Sequence, residues 1–437
     1  MKKARQSGYT LLEALVTLFI IAEILIAVLV LFDFNSRVGR AQTQVAEMQQ
    51  STRIGTSAIA RLLRSAGRGP LPKGALPAGI AIEVWNNVAA GTEIVPGWAN
   101  SPIVATGTDV LIIRGVISNP LYFPQPQPGG SNLFGGTRFM LTPLSAPGLP
   151  LNPSTGLPYT VWQPPEALLE AAGLGPGSPA PAAHPEVLLA AAASDASLVQ
   201  IFELNSSTTA EISPAPYELQ VGIDGSVNLA AYRARLDAYY VGRGVNPPPS
   251  ISEALHIGIL EEYRIFVRRP AGGFAPDGGT DAARDSPRLA MARVYPFTDI
   301  PHRNDPNNLS IDLAENIFDL QVAFGIDIDS NGRIDENPGN TNDDEWLLNH
   351  PQDVANPPVR GGSPVDWNTR RLLFARVSTL AMTDRPDLSY LAPIQASLED
   401  RTYLDSDSVT VEETVNDDFQ RRFRRRVLQT LIEMRTL

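Results

Sequence analysis

The chain contains no cysteine. Disulfides and a cysteine-linked lipid anchor are therefore excluded, and the fold must hold together without covalent staples. Histidine is nearly as scarce. The four present (His184, His256, His302, His350) are scattered, without the H-E-x-x-H spacing of a zinc site. There is no G-x-S-x-G nucleophile elbow, no Walker A loop and no Rossmann glycine pattern beside a strand. Nothing here recommends an enzyme, and no cofactor is required. Basic residues are outnumbered, 35 Lys and Arg against 47 Asp and Glu, for a net charge of −12. An acidic surface argues against wholesale nucleic-acid binding, although a local basic patch escapes that argument. No repeat of fixed period is visible.

What is present divides the chain in two. Three basic residues, Lys2, Lys3 and Arg5, precede Gly8, and an almost unbroken apolar run extends from Ala14 to Phe32. That run is long enough to cross most of a bilayer, which needs about 20 residues. An ordinary secretory signal places its small-residue cleavage site after the apolar region. Here the small residue comes first, so cutting after Gly8 would remove the basic leader and keep the helix.

The stretch GYTLLEALVTLFIIAEILIAVLV from Gly8 onward resembles the leader and N-terminal helix of type IV pilins and pseudopilins. The resemblance implies cleavage by a prepilin peptidase between Gly8 and Tyr9 and N-methylation of Tyr9, which stands where phenylalanine is more usual. It also implies that Glu13, fifth in the mature chain, is the family's assembly glutamate, neutralising the terminal amine of a neighbouring subunit. Physical chemistry agrees. A lone carboxylate at the edge of an apolar helix is costly in hydrocarbon, and a cationic amine in a low-dielectric bundle would offset that cost. The plainer alternative is a single-pass anchor with its glutamate at headgroup level. Glu23, deeper in the apolar stretch, lies about 80° around the helix from Glu13 and does not share its face.

Beyond Phe32 the pattern turns amphipathic. Val38, Ala41, Val45, Met48, Thr52, Gly55, Ile59, Leu62 and Ala66 recur at three and four, with Arg40, Gln42, Glu47, Gln50 and Arg64 elsewhere. The seam is weak for a coiled coil, so we expect the second half of one helix, residues 9–66, to lie on its own chain's sheet. Any kink would fall at Gly39 or Gly55. Gly67 and Gly69-Pro70 supply the stop.

Residues 67–437 form an extracytoplasmic, β-rich region. Strands are predicted at Ile80–Trp85, Thr108–Ile113, Leu198–Leu204, Tyr217–Ile223, Ile257–Val267, Leu289–Tyr295, Leu320–Ile326, Leu372–Met382 and Val427–Met434. Leu260, Tyr263, Ile265 and Val267 partly alternate with charged residues, as in a half-buried strand. A loop-rich insertion at about 115–190 holds fifteen prolines between Pro120 and Pro185, which leaves room for one short helix at Pro165–Ala172. Its aromatics, Tyr122, Phe123, Phe134, Tyr159 and Trp162, either pin the loop or meet a partner. Asp312-Leu313-Ala314-Glu315 reads as a capping box opening a helix near Ile311–Phe318. The predicted class is α+β: a long N-terminal helix, its first half membrane-spanning, packed on an antiparallel sheet with large loop-rich insertions.

Several of these segments sharpen the resemblance to PilW-type minor pilins: Tyr263-Arg264-Ile265, Arg288-Leu289-Ala290, Leu313 to Asp327, Phe374 to Leu380 and Phe423 to Val427. The resemblance implies a pilin-like fold and a subunit of a type IV pilus-like filament, in a priming or tip complex. Its partners would be other major and minor pilins or pseudopilins, the prepilin peptidase, the inner-membrane assembly platform and membrane lipid. The protein would wait in the bacterial cytoplasmic membrane by a single pass, then move to a periplasmic or cell-surface filament. Two alternatives stay open, a minor pseudopilin of type II secretion and a membrane-anchored adhesin or DNA-uptake module.

Two constellations bear on ligands. Residues 327–345 contain Asp327-x-Asp329-x-Asn331-Gly332-Arg333-Ile334-Asp335, the spacing of an EF-hand calcium loop. Asp327, Asp329 and Asn331 would offer side-chain oxygens, Arg333 its carbonyl, and Asp335 a direct or water-bridged contact. Pro338 stands where the bidentate glutamate belongs, so Glu336, Asp343, Asp344 or Glu345 would have to substitute. The same stretch also suits a plain hairpin turn. The second constellation is Arg421, Arg422, Arg424, Arg425 and Arg426 around Phe423. Basic residues with an aromatic can hold single-stranded nucleic acid, but they equally suit a strand edge paired with acidic neighbours such as Asp417 and Asp418.

Overall fold

The computed structural model describes residues 10–67, 81–98, 101–118, 123–124, 138–142, 187–192, 199–204, 217–222, 254–268, 287–296, 299, 301, 309–327, 331–335, 345–349, 359–360, 363–364, 371–383, 385–387, 390–395, 397–403 and 420–434. One helix, α1 (Leu11–Ser65), precedes nineteen strands among these residues. They are β1 (Ile82–Trp85), β2 (Val110–Gly115), β3 (Phe123–Pro124), β4 (Arg138–Thr142), β5 (Val187–Ala192), β6 (Val199–Leu204), β7 (Tyr217–Gly222), β8 (Ala254–Ile259), β9 (Glu261–Arg268) and β10 (Arg288–Val294). Then come β11 (Ile311–Glu315), β12 (Ile317–Asp327), β13 (Trp346–Leu347), β14 (Val359–Arg360), β15 (Ser363–Pro364), β16 (Arg371–Met382), β17 (Ser397–Leu398), β18 (Arg401–Thr402) and β19 (Arg425–Glu433). The class is α+β, with one long N-terminal helix and antiparallel sheets.

Two sheets form the body under the helix. One has the order β1-β2-β9-β10-β11 and the other β13-β12-β16-β19. A six-stranded sheet, β3-β4-β7-β6-β5-β8, is built from the segment between β2 and β9, and β14-β15 and β17-β18 are small hairpins. The predicted single strand at Ile257–Val267 is in fact two. It breaks at Leu260, β8 joining the six-stranded sheet and β9 the five-stranded one.

The 55 residues of α1 span about 82 Å. From Leu11 to Phe34 its large apolar side chains are exposed. From Met48 onward one stripe is buried: Met48, Thr52, Gly55, Thr56, Ile59, Ala60, Leu62 and Leu63. This is the three-and-four spacing of a helix lying on a surface, and the surface is supplied by β11, β16, β19 and β2. The helix therefore crosses both body sheets. Gly55 lies close against the sheet, where a Cβ would lie 2.8 Å from Leu289 Cδ2 and 3.0 Å from Ala314 Cβ. The helix runs on through Gly39 and Gly55 to Ala66, and Gly67 (φ 71°) turns the chain away, its N–H donated to the carbonyl of Arg114 at 3.0 Å.

Strand alternation builds layers on both faces. Leu111, Ile113, Ile265, Val267 and Leu289 join Leu320, Val322, Phe324, Ile326 and Val377 in one core beneath α1. On the opposite face of the five-stranded sheet, Val110, Ile112, Phe266 and Val294 pack against Val88, Ile94, Val95 and Val104 from the connection after β1. On the opposite face of the four-stranded sheet, Phe318, Leu380 and Met382 meet Leu398 and Tyr403 of the β17-β18 hairpin. Both faces of β9 are covered as a result, and the expected half-buried strand is wholly buried up to Val267. Its charged residues are paired inside: Glu262 with Arg114 and Arg264, and Glu261 with Arg293.

The helix predicted near Ile311–Phe318 does not form. The segment is β11, a left-handed residue at Asn316 (φ 60°), and the start of β12. The Asp312 carboxylate serves across the sheet, accepting from Arg288 Nη1 at 2.7 Å and Arg268 Nη2 at 3.2 Å. The backbone N–H and carbonyl of Glu315 are taken by Ser51 Oγ of α1, at 2.9 and 2.8 Å. The spacing of acids mimics a capping box, but cross-strand arginines and the edge of the sheet claim those groups. The predicted helix at Pro165–Ala172 lies outside the described residues.

Candidate functional site

Three places answer to the residues singled out by sequence. The first is the start of α1. Gly8 and Tyr9 lie outside the described residues. Thr10 is the N-cap, and Glu13 completes a capping box. Glu13 N–H donates to Thr10 Oγ1 at 3.3 Å, while Thr10 N–H and Oγ1 donate to Glu13 Oε2 at 3.0 and 3.1 Å. The sequence signal for this box is the T-x-x-E spacing of Thr10 and Glu13 before an apolar run. The two roles are compatible, because the box occupies one carboxylate oxygen and leaves the group at the exposed tip of the helix. Glu23 is exposed on the same helix. Arg37 and Asp33 form an exposed pair at 2.6 Å where the apolar stretch ends.

The second place is the loop after β12. Gly325 and Phe324 pair with Trp346 and Leu347 of β13, so the chain leaves the sheet at Asp327 and returns beside its own exit. That return brings Glu345 to the loop: its carbonyl accepts from Ile326 N–H, its N–H donates to the Asp335 carbonyl, both at 2.9 Å, and its Oε2 accepts from Asp335 N–H at 3.1 Å. Asp327 is buried, and its Oδ2 accepts from Gly332 N–H at 2.9 Å. Asn331 Oδ1 accepts from Arg333 N–H at 2.7 Å. Gly332 has φ 79°, which makes the tight turn. Ile334 folds back onto Gly325, where a Cβ would stand 3.1 Å from its Cγ1. Asp329, Glu336, Asp343 and Asp344 lie outside the described residues. Among those described, no group of three or more histidine, aspartate or glutamate side chains is placed to hold a metal ion.

The third place is the arginine run, which opens in a 3-10 turn (Gln420–Arg422) and enters β19. Arg424 Nη2 donates to Asp387 Oδ2 at 2.8 Å and its guanidinium lies 4.7 Å from the Tyr390 ring centroid. Arg421 Nε donates to the Ala392 carbonyl at 2.9 Å. Arg425 is half-buried, and desolvation pushes its guanidinium down to about 10. Arg426 is exposed. The acidic partner is Asp387, from the chain between β16 and β17; Asp417 and Asp418 lie outside the described residues. Arg424 and Arg421 thus hold Asp387, Tyr390 and Ala392 beside the run, and Arg426 points to solvent.

A fourth cluster escaped sequence reasoning. Asp109, Asp319, Asp400, Arg401 and Tyr403 are all buried between the two body sheets and the β17-β18 hairpin. Asp109 accepts from Asn87 N–H at 2.9 Å and Val322 N–H at 2.8 Å. Arg401 Nη1 pairs with Asp319 Oδ2 at 2.9 Å, and Tyr403 Oη donates to the same oxygen. Burial, reinforced by Asp400, holds the Asp109 carboxyl well above the usual range, and burial beside Asp319 does the same for the Tyr403 phenol. Each group is spent on another part of the chain, so the cluster joins sheets. Such residues are far apart in sequence and carry no local spacing. Comparison with family models, curated proteins and solved structures finds no match to this chain.

Proposed function

We propose that the chain is a minor pilin- or pseudopilin-type subunit. It waits in the bacterial cytoplasmic membrane by α1, loses residues 1–8 to a prepilin peptidase, and enters a type IV pilus-like filament by packing that helix among those of its neighbours. The observation that carries this reading is the division of one continuous helix between two environments. Its C-terminal part is sealed onto antiparallel sheets, while its N-terminal part presents exposed large apolar side chains from Leu11 to Phe34. The helix is long and apolar enough to cross a membrane. Covering one Leu, Ile or Phe stabilises by about 1.5–3 kcal/mol, so the exposed stretch is strongly driven into lipid or a helix bundle.

Glu13 gives the bundle its register. In the single subunit its carboxylate is held by Thr10. In a packed bundle a neighbour's terminal ammonium meets that carboxylate in a medium of low dielectric, where the attraction is several-fold stronger than in water. The body, with its additional six-stranded sheet, is bulky for a dense repeating shaft, and this favours a place in a priming or tip complex. Incorporation of a Glu13→Lys chain into filaments tests the reading. Loss of incorporation with normal membrane levels supports it, and wild-type incorporation overturns it.

A further inference from the structure

We infer that β19, the outer strand of the four-stranded sheet, takes up an extended segment of a neighbouring subunit as an added strand. In the order β13-β12-β16-β19 it pairs on one side only, with β16, and without a bulge. Thr383 N–H donates to the Arg424 carbonyl at 2.9 Å, and Met434 N–H to the Leu373 carbonyl at 2.8 Å. These two bonds fix the phase of the ladder, since antiparallel partners exchange bonds at every second residue. Even-numbered residues from Arg424 to Met434 turn their main-chain groups to β16. Val427, Gln429, Leu431 and Glu433 therefore turn theirs outward, and among the described residues nothing pairs with those groups.

The opposite edge of the same sheet is closed. On β12 the Leu320 carbonyl accepts from Asp109 N–H, and Val322 N–H donates to Asp109 Oδ2, both at 2.8 Å. Phe324 pairs with Leu347 of β13, and Ile326 N–H donates to the Glu345 carbonyl at 2.9 Å. On β11, an edge of the five-stranded sheet, Ser51 of the helix bonds Glu315. Proteins blunt an open edge with charge, proline, a bulge or a cover, because it is a template for another strand. Val427 to Ile432 carry neither charge nor proline, and Leu431 is 55% exposed. The strand is nevertheless fixed on both faces. Ile432 belongs to the core beneath α1, and Val427 packs on the cluster of Phe318 and Leu380. A preformed edge of this kind loses little freedom when a partner adds to it.

Charge and geometry select the occupant. Exposed Arg426 stands at one end of the uncharged span and exposed Glu433 at the other. The segment that fits is extended, acidic beside Arg426, basic beside Glu433 and apolar where it meets Leu431. A second copy of β19 meets those charges only when antiparallel. The two-fold axis would then stand normal to the sheet and reverse the second α1, which lies on that sheet. Two helices so opposed cannot enter one membrane from the same side. A parallel copy would set like charges side by side. The choice of a different subunit rests on the filament reading, whereas the open edge does not.

The test uses the full chain in detergent. Hydrogen exchange resolved to single amides should find Val427, Gln429 and Leu431 fast and Leu428, Thr430 and Ile432 slow. The probe for pairing is a dye-labelled peptide with the sequence of residues 425–433, which when antiparallel sets Arg425 against Glu433 and Val427 against Leu431 and carries no helix to oppose. We expect saturable binding by fluorescence anisotropy, with slowed exchange at the three fast amides. Leu431→Pro removes an outward N–H and no bond to β16, as an edge strand tolerates. Leu431→Lys places a charge in the uncharged span. Each should weaken binding by about tenfold or more with a Tm near that of the parent, and the lysine variant decides if the proline variant does not fold. Outward amides as slow as the inward ones, no binding of the peptide, or equal binding by Leu431→Lys overturns the open edge. A dimer of the parent chain that Leu431→Lys disperses overturns the choice of occupant alone.

Discussion

Gly55 of the helix and Ala314 of the edge strand β11 are in such close contact that a Cβ on the glycine would stand 3.0 Å from the alanine methyl. The helix can lie this low on the sheets because position 55 carries no side chain. A leucine there must push α1 off Leu289 and Ala314, and overpacking of this kind costs about 1–3 kcal/mol. Gly39 on the same helix meets nothing within 4 Å. We expect Gly55→Leu to lower the Tm of the body by several degrees and Gly39→Leu to leave it unchanged, as measured by thermal denaturation in detergent.

Asn316 holds the left-handed turn by which the chain passes from the five-stranded sheet to the four-stranded one. Asparagine tolerates that conformation and glycine adopts it freely, whereas a β-branched residue does not. Asn316→Gly should therefore be close to neutral, while Asn316→Val should destabilise by about 1–3 kcal/mol in chemical denaturation.

Asp109 sets a pH dependence of defined sign. Its carboxyl titrates well above the ordinary 3.8 because it is buried and close to Asp400. Between those two values the folded chain holds a proton that the unfolded chain has lost. Its contribution therefore favours the folded state most in acid, declines as pH rises from about 3.8 through the raised folded value, and is flat beyond it. Asp109→Asn removes this proton, so melting curves recorded across that interval should show a flatter decline in Tm for the variant than for the parent chain.

These positions also mark what could be read from residues alone. The long helix and its stripe from Met48 to Ala66 were legible because their periodicity is local. So were β10, β12, β16 and β19, whose apolar runs are bounded by turn residues. The segment 311–318 was not, since Asp312 and Glu315 find their partners on Arg268, Arg288 and Ser51, none of which is near in sequence. The burial of β9 was hidden for the same reason. Glu261, Glu262 and Arg264 look like a solvated face until Arg114, Arg293 and the second covering layer are in place. At the Asp327 loop the spacing was plain, and what had to come from the fold was the position of Glu345 beside Asp335, because only strand pairing brings it back.

The most direct test of the account is the intact mass of the chain extracted from membranes of cells with an active prepilin peptidase. The account requires a chain that begins at Tyr9, lighter by residues 1–8 and heavier by one methyl group, and a full-length chain when the peptidase is absent. A chain that still begins at Met1 where the peptidase is active would contradict it.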